Sequence, residues 1–396
     1  MPEPSIVLEN INIRPKKVFC LTLRDHTGEH HTGDTMSEPQ ETIILNATVV
    51  DGSGTTPRYQ ATITIRSGTI ASIKKHYDLV SLQRARTLGS NIIDCKDGHW
   101  HVCPGFIDMH AHSDLSVLHT PDHLAKITQG VTTEVLGQDG ISYAPTTDDT
   151  MARIRRQIAG WNGNPSTPGF FDRWRSVKEY LDLLDEERTA TNVAYLVPQG
   201  NLRMLVKGYS SEPCTQAEID EQKRILARCL EEGAVGMSSG LTYVPGSFAD
   251  DAELAQLCEV VKEYGGYYCP HHRSYGKGAL QAYGEMIELA KKTGVRLHLT
   301  HATMNYPENA ERAGELIEMI DKAIAEGVDI SLDTYPYLPG STTLASTLPS
   351  WAAAADDKLA VLEDPEKLAK IKHQALVEGT DGCHGVTLGE CSHSSS

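Results

Sequence analysis

No run of apolar residues approaches the ~20 that a helix needs to cross a bilayer. The opening MPEPSIVLENINIRPKK also lacks the apolar stretch of a secretory signal. Basic residues are scarce: 36 Lys and Arg stand against 53 Asp and Glu, for a net charge of −17. That balance argues against a nucleic-acid binder, which needs a basic face to offset phosphate, and against an anionic-membrane binder. A few local cations could still hold an anionic substrate. The nine cysteines (20, 95, 103, 214, 229, 258, 269, 383 and 391) include no CxxC pair. Scattered thiols without a signal sequence imply a reducing, cytoplasmic setting, with each cysteine a small buried hydrophobe. No GxGxxG or GxxxxGK[ST] loop follows any candidate strand, so a nucleotide-binding fold has no motif behind it.

What is present is ordinary globular composition, 40% hydrophobic and 22% charged over 396 residues. That length suits one barrel of roughly 250 residues plus a smaller partner. Residues 1–41 are polar and read as a poorly ordered leader. From Thr42 to about Cys103, short alternating runs (TIILNATVV, then ATITIRSGTIASI) punctuated by Gly predict strands and hairpins. From His101 the rhythm changes. β-rich runs GFIDMHAH (105–112), TTEVLG (132–137), NVAYLV (192–197), VGMSSGL (235–241), YYCPHH (267–272), VRLHLTH (295–301) and VDISLDTYPY (328–337) alternate with helical stretches. The helical patterns at 218–233, 279–294 and 312–327 each end in Gly, a low-cost C-terminal cap. Strand–helix alternation predicts an α/β fold of parallel βα units, a barrel or a doubly wound sheet. Seven candidate strands are countable; a closing eighth is expected to be absent. A last helical segment, DPEKLAKIKHQALVEG, follows.

In a barrel of this kind the chemistry gathers at the C-terminal ends of the strands. His110 and His112 end the first run, Gln138 and Asp139 follow the second, His271 and His272 end the fifth, and His301 ends the sixth. Alternation puts positions i and i+2 of a strand on one face, so His110 and His112 can grip one ion. A lone HxH arises by chance or as satisfied core histidines. Four imidazoles and an acid at matching strand ends instead predict a divalent-metal site, with zinc the best match to N/O ligands. His298 and His123 read as core or surface residues, and Asp333 as structural.

The segments PGFIDMHAHSD, QGVTTEVLGQDGISYAP, GMSSGLTYVPGSF, CPHHR, LTHATMN and DTYPYLPGSTTLASTLPSWA are together similar to the N-acyl-D-amino-acid deacylase (D-aminoacylase) branch of the amidohydrolase superfamily. The likeness runs from about Thr42 to about Gly385. It implies a TIM barrel over 104–396, with a small β-sandwich element over 42–103. It also implies hydrolysis of the amide of N-acyl-D-amino acids with one or two divalent ions, Zn(2+) in the first place. The implied metal ligands are His110, His112, Asp139, His271 and His301. Asp139 stands where many members carry a bridging cysteine, and a carboxylate is a harder ligand than thiolate. The implied contacts to the substrate carboxylate are Tyr243, Arg273, Tyr335 and Ser341. Thr303 takes a position that is often lysine. Small-molecule hydrolysis is therefore the expected activity, with no nucleic-acid or membrane partner. The family's proton-accepting aspartate lies on the eighth strand, so the catalytic base is expected beyond the end of this sequence, and Asp381 reads as a surface turn residue. The alternatives are a shortened, non-catalytic relative that keeps metal or ligand binding, and an amidohydrolase acting on a cyclic amide.

Overall fold

The computed structural model describes residues 7–8, 41–75, 83, 86–87, 89–95, 100–304, 307–337, 340–355 and 357–376. Apart from Val7, Leu8 and Glu41, the expected leader lies outside the described residues, as does Asp381. These residues fall into two compact units. One comprises the described part of Met1–Ile107 with His123–Thr133 and Ala190–Asn192. The other comprises Asp108–Asp122, Glu134–Thr189 and the described part of Val193–Ser396.

The first sheet has six strands: β1 (Val7–Leu8), β2 (Glu41–Val49), β3 (Tyr59–Arg66), β4 (Thr69–Lys74), β5 (Asn91–Asp94) and β6 (His101–Pro104). Their order is β1-β6-β2-β3-β4, with β5 also paired to β2. β2 and β3 run antiparallel from Glu41↔Arg66 to Val49↔Tyr59, with an irregularity between Ile44 and Ala47. The near-unbroken apolar run of β2 has a packing reason. Ile44, Ala47 and Val49 join one cluster with Ile63 and Val102, while Ile43 and Leu45 enter another with Ile92. Both faces of this strand are covered, so polar alternation is lost.

The second sheet contains the seven runs expected from the sequence: β7 (Phe106–Asp108), β8 (Val131–Leu136), β9 (Asn192–Pro198), β10 (Gly236–Gly240), β11 (Tyr267–His271), β12 (Arg296–Leu299) and β13 (Ile330–Leu332). They are ordered in sequence, β7 to β13, and among the described residues β7 and β13 are its edges. The pairs from β9 to β13 are parallel. Neighbouring side chains divide the two faces. Val135, Leu196 and Cys269 form one cluster, whereas Leu136, Val197 and Tyr268 pack with the helices in the main core. Burial on both faces is what parallel βα architecture demands.

Helix boundaries follow local chemistry. Thr215 and Ser176 each accept from the backbone N–H three residues on, and Glu218 and Glu179 return the bond to the cap residue. These capping boxes start the helices Val177–Glu187 and Gln216–Glu231. The expected glycine stop at 294 caps Ala279–Thr293 in the left-handed conformation, φ 70°. The C-terminal helical pattern forms Pro365–Leu376. Among the described residues no helix is long and apolar enough to cross a membrane.

Candidate metal centre

The first two histidines lie just past β7 rather than on it. Asp108 Oδ1 accepts from the His110 backbone N–H at 3.1 Å, a local turn that ends the strand. Asp139 follows β8 on a tight loop with φ 56°, a left-handed conformation that aspartate tolerates better than most residues. Two glycines make that loop possible. A Cβ on Gly140 would lie 2.3 Å from the Gly240 nitrogen, and one on Gly240 would lie 2.0 Å from the Asp139 carbonyl oxygen. The buried Asp114 carboxylate accepts from Gly137 N–H at 3.1 Å and from the Ser142 hydroxyl at 2.5 Å, pinning both ends of the loop. His271 is the last residue of β11 and His301 follows β12.

These elements set four imidazoles around one carboxylate. His110 Nε2 and His112 Nε2 lie 3.6 and 3.3 Å from Asp139 Oδ2. His271 Nδ1 and His301 Nε2 lie 3.7 and 3.5 Å from Oδ1. Each oxygen therefore faces one histidine pair. Asp139 Oδ1 is buried and makes no hydrogen bond among the described residues. A buried carboxylate oxygen without a donor is costly in a purely structural cluster. It suits an ion: ligands at about 2.0–2.1 Å around one tetrahedral zinc are ~3.3–3.4 Å apart, close to the spacings here. The donor set, histidine nitrogens with carboxylate oxygen, fits divalent first-row metals.

The electrostatics of the two pairs differ. Burial opposes charge on His110, but Asp139 and then Asp333 outweigh it and push the ring up to about 10. Burial also dominates at His271, and with only Asp139 opposing and His301 and His110 nearby, its ring falls to about 4. Asp139 itself is held well below the usual carboxylate range: its burial is overcome by His110, His112 and His271.

The other expected residues are placed as follows. The Tyr243 ring is 4.6 Å from His271, and its hydroxyl meets Thr342 Oγ1 at 3.0 Å. Tyr335 lies near Tyr243 and Tyr283, with its hydroxyl close to Gly340. Ser341 is exposed, next to Thr342. The polar contacts of Arg273 are with residues other than the cluster: its guanidinium donates to the Ala249 carbonyl at 2.7 Å, with Asp251 and Glu285 at 3.5 and 3.9 Å. His272 belongs to the packing. It is sandwiched between Tyr275 and Tyr283 with both ring nitrogens unbonded among the described residues.

Five residues at or behind the cluster were not assigned to it from sequence. Asp333 Oδ2 lies 3.3 Å from His110 Nδ1 and 3.0 Å from His298 Nε2. Thr242 Oγ1 is 2.7 Å from His271 Nε2, and the Tyr275 hydroxyl is 3.5 Å from His301 Nε2. Trp161, on the helix Asp148–Asn162, covers His112 at 5.1 Å and Tyr243 at 5.0 Å. Asp333 and His298 could have been found from the strand-end rule, since both lie on or next to the last two strands. Nothing in the sequence marks Trp161, which reaches the site from a helix.

A profile of the Amidohydrolase family matches residues 91–376. The chain belongs to the amidohydrolase family. It is 34% identical over 355 residues to an N-acyl-D-glutamate deacylase of Alcaligenes xylosoxydans xylosoxydans, covering 89% of this chain and 67% of that one. A D-aminoacylase of the same organism is 31% identical over 314 residues, 78% of this chain and 60% of its own. Among solved structures, N-acyl-D-glutamate deacylase from Bordetella bronchiseptica, complexed with zinc and a phosphonate mimic of the tetrahedral intermediate, matches with TM-score 0.63 and 32% identity, covering 76% of this chain and 59% of that one. A D-aminoacylase crystal structure matches with TM-score 0.64 and 30% identity, covering 77% and 60%. The seven-stranded parallel sheet is thus of the amidohydrolase barrel type, and the chain has a separate N-terminal sheet as well. The chain spans about three-fifths to two-thirds of the length of these relatives.

Proposed function

We propose that this chain carries the metal centre of a hydrolase that cleaves the amide of N-acyl-D-amino acids, releasing a carboxylate and a D-amino acid. The observation that carries the reading is Asp139, one oxygen toward His110 and His112 and the other, undonated, toward His271 and His301. The names of the relatives support the substrate class. A divalent ion bound there, zinc by preference, would polarise the scissile carbonyl and make its bound water a nucleophile near neutral pH.

The residues divide the remaining work. The five ligands His110, His112, Asp139, His271 and His301 hold the metal. Asp139 supplies a carboxylate to both pairs and so suits one or two ions. Tyr243, with Tyr335 and Ser341, would meet the substrate α-carboxylate. Arg273 joins them only by exchanging Asp251 and Glu285 for the substrate, a swap its bidentate fork favours. Asp333 does not act as the base. Burial raises its carboxyl, but His110 and His298 overcome this and hold it well below the usual carboxylate range. A carboxylate so fully engaged is a poor proton acceptor.

The test is direct. Purified protein should bind zinc stoichiometrically and, once loaded, bind an N-acetyl-D-amino acid, while the L-enantiomer and the α-amide of the D-substrate bind poorly. Absence of stoichiometric zinc sinks the metal centre. Equal binding of the α-amide sinks the carboxylate contacts.

A further inference from the structure

Beyond the five ligands, one buried chain of polar groups reaches the centre from behind. His298 is 2% exposed. Its Nδ1 lies 2.7 Å from the Ser331 hydroxyl and its Nε2 lies 3.0 Å from Asp333 Oδ2. The same Oδ2 lies 3.3 Å from His110 Nδ1, on the far side of that ring from Asp139. Asp333 Oδ1 accepts from the His301 backbone N–H at 2.6 Å, at a residue whose φ of 31° is strained for anything but glycine. The Asp333 backbone adds two more ties, accepting from Ala302 N–H at 2.8 Å and donating to the Leu299 carbonyl at 3.1 Å. One carboxylate thus touches both histidine pairs without facing the position between them.

We propose that Asp333 is the positioning residue of the centre, fixing the His110 ring and the His301 backbone, and that His298 holds Asp333 in that pose. The chemistry follows from bond direction. Asp333 is an acceptor, so His110 donates from Nδ1 and leaves the Nε2 lone pair for the ion. His298 donates from Nε2 while its Nδ1 accepts from Ser331. Asp333 Oδ2 then takes two ring N–H donors and Oδ1 a backbone donor, which locks the carboxylate plane. The sequence order matters less than the register: Leu299 and Leu332 are paired on adjacent strands, so Asp333 emerges beside Thr300 and His301.

The inference rests on the metal-centre reading, and one experiment separates the two. Zinc affinity is measured on the full chain by competition with a chromophoric chelator, and cobalt-loaded protein is examined by its visible absorption. Asp333→Asn keeps shape and volume but loses the second acceptor oxygen and the charge. It should bind zinc roughly 10–100-fold more weakly, the usual cost of removing an outer partner of a metal-bound histidine, with a changed cobalt spectrum. His298→Gln retains an amide N–H donor toward Asp333 and should stay nearer to wild type than His298→Leu, which fills the space but cannot donate. Wild-type affinity and spectrum in Asp333→Asn would overturn the positioning role alone. Failure of the unsubstituted protein to bind zinc would overturn the metal centre and this role with it. Should Asp333→Asn not fold, the His298 pair decides: equal affinities in Gln and Leu variants overturn the proposal.

Discussion

The two histidine pairs around Asp139 are built from the same side chain and share one carboxylate, yet they are armed differently. His110 lies between two carboxylates, Asp139 and Asp333, and is pushed up to about 10. His271 is backed by a neutral hydroxyl, Thr242, lies beside two other imidazoles, and falls to about 4. Burial penalises the charged ring in both cases; the count of nearby carboxylates decides the sign. Before any metal binds, His110 favours its protonated form and His271 its neutral form, with a free lone pair. Ligand identity alone would have made them equivalent.

Removing the shared carboxylate should have the largest effect. Asp139→Asn keeps the volume but strips both pairs of their common oxygen anion. Zinc affinity should drop by more than the roughly 10–100-fold typical of losing an outer partner. Equilibrium dialysis with metal analysis reads the result. If one ion stays bound at near wild-type affinity, the pairs are independent sites and the comparison fails.

The next effect depends on pH. With His110 raised to about 10 and His271 lowered to about 4, metal binding at pH 7.5 should release about one proton, displaced from His110, and none from His271. Calorimetry in buffers of different ionisation enthalpy counts it. The metal-free protein carries the same signature in its stability. A group raised above its ordinary 6.5 stabilises fully below that value, and the contribution disappears as pH rises through about 10. Asp139, held low, acts in the opposite sense and is lost only as pH falls below the ordinary carboxylate range. Thermal melts of metal-free protein should therefore decline from about pH 6.5 toward 10. A flat profile there would mean that His110 holds no extra proton.

Much of this frame was legible in the sequence, for a physical reason. Parallel strands buried on both faces, such as β9 to β11, read as short apolar runs, and all seven expected runs overlap strands. Helix stops at Gly294 and Gly327 were legible because left-handed backbone favours glycine. The meeting of His110, His112, Asp139, His271 and His301 was legible because strand ends converge. Asp333 and His298 were legible only as residues on or next to the last two strands; their hydrogen bond to each other and the approach of Asp333 to His110 come from the packing of β12 and β13. Arg273 shows the opposite limit. The family resemblance implies a contact with the substrate carboxylate, but a long side chain can take several directions, and sequence alone does not show that it reaches Ala249 and the start of the helix Asp251–Glu263.

The smallest effect comes from the neutral support of His271. Thr242→Val removes the hydroxyl 2.7 Å from Nε2 while keeping the β-branched shape. A neutral hydrogen bond is worth about 0.5–1.5 kcal/mol, and one to an ionised partner about 1.5–3 kcal/mol. Thr242→Val should therefore weaken zinc binding by roughly two- to tenfold. That is less than Asp333→Asn costs on the other side of Asp139. The ring of His271 is also held by packing against Tyr243 and Tyr275, at 4.6 and 4.8 Å, so its orientation survives loss of one bond. His110 has the ionised partner instead, and its support should carry correspondingly more of the affinity. Chelator competition on both variants under one buffer condition measures the ratio. If Thr242→Val costs as much as Asp333→Asn, the two pairs are supported alike, and the asymmetry lies in their protonation alone.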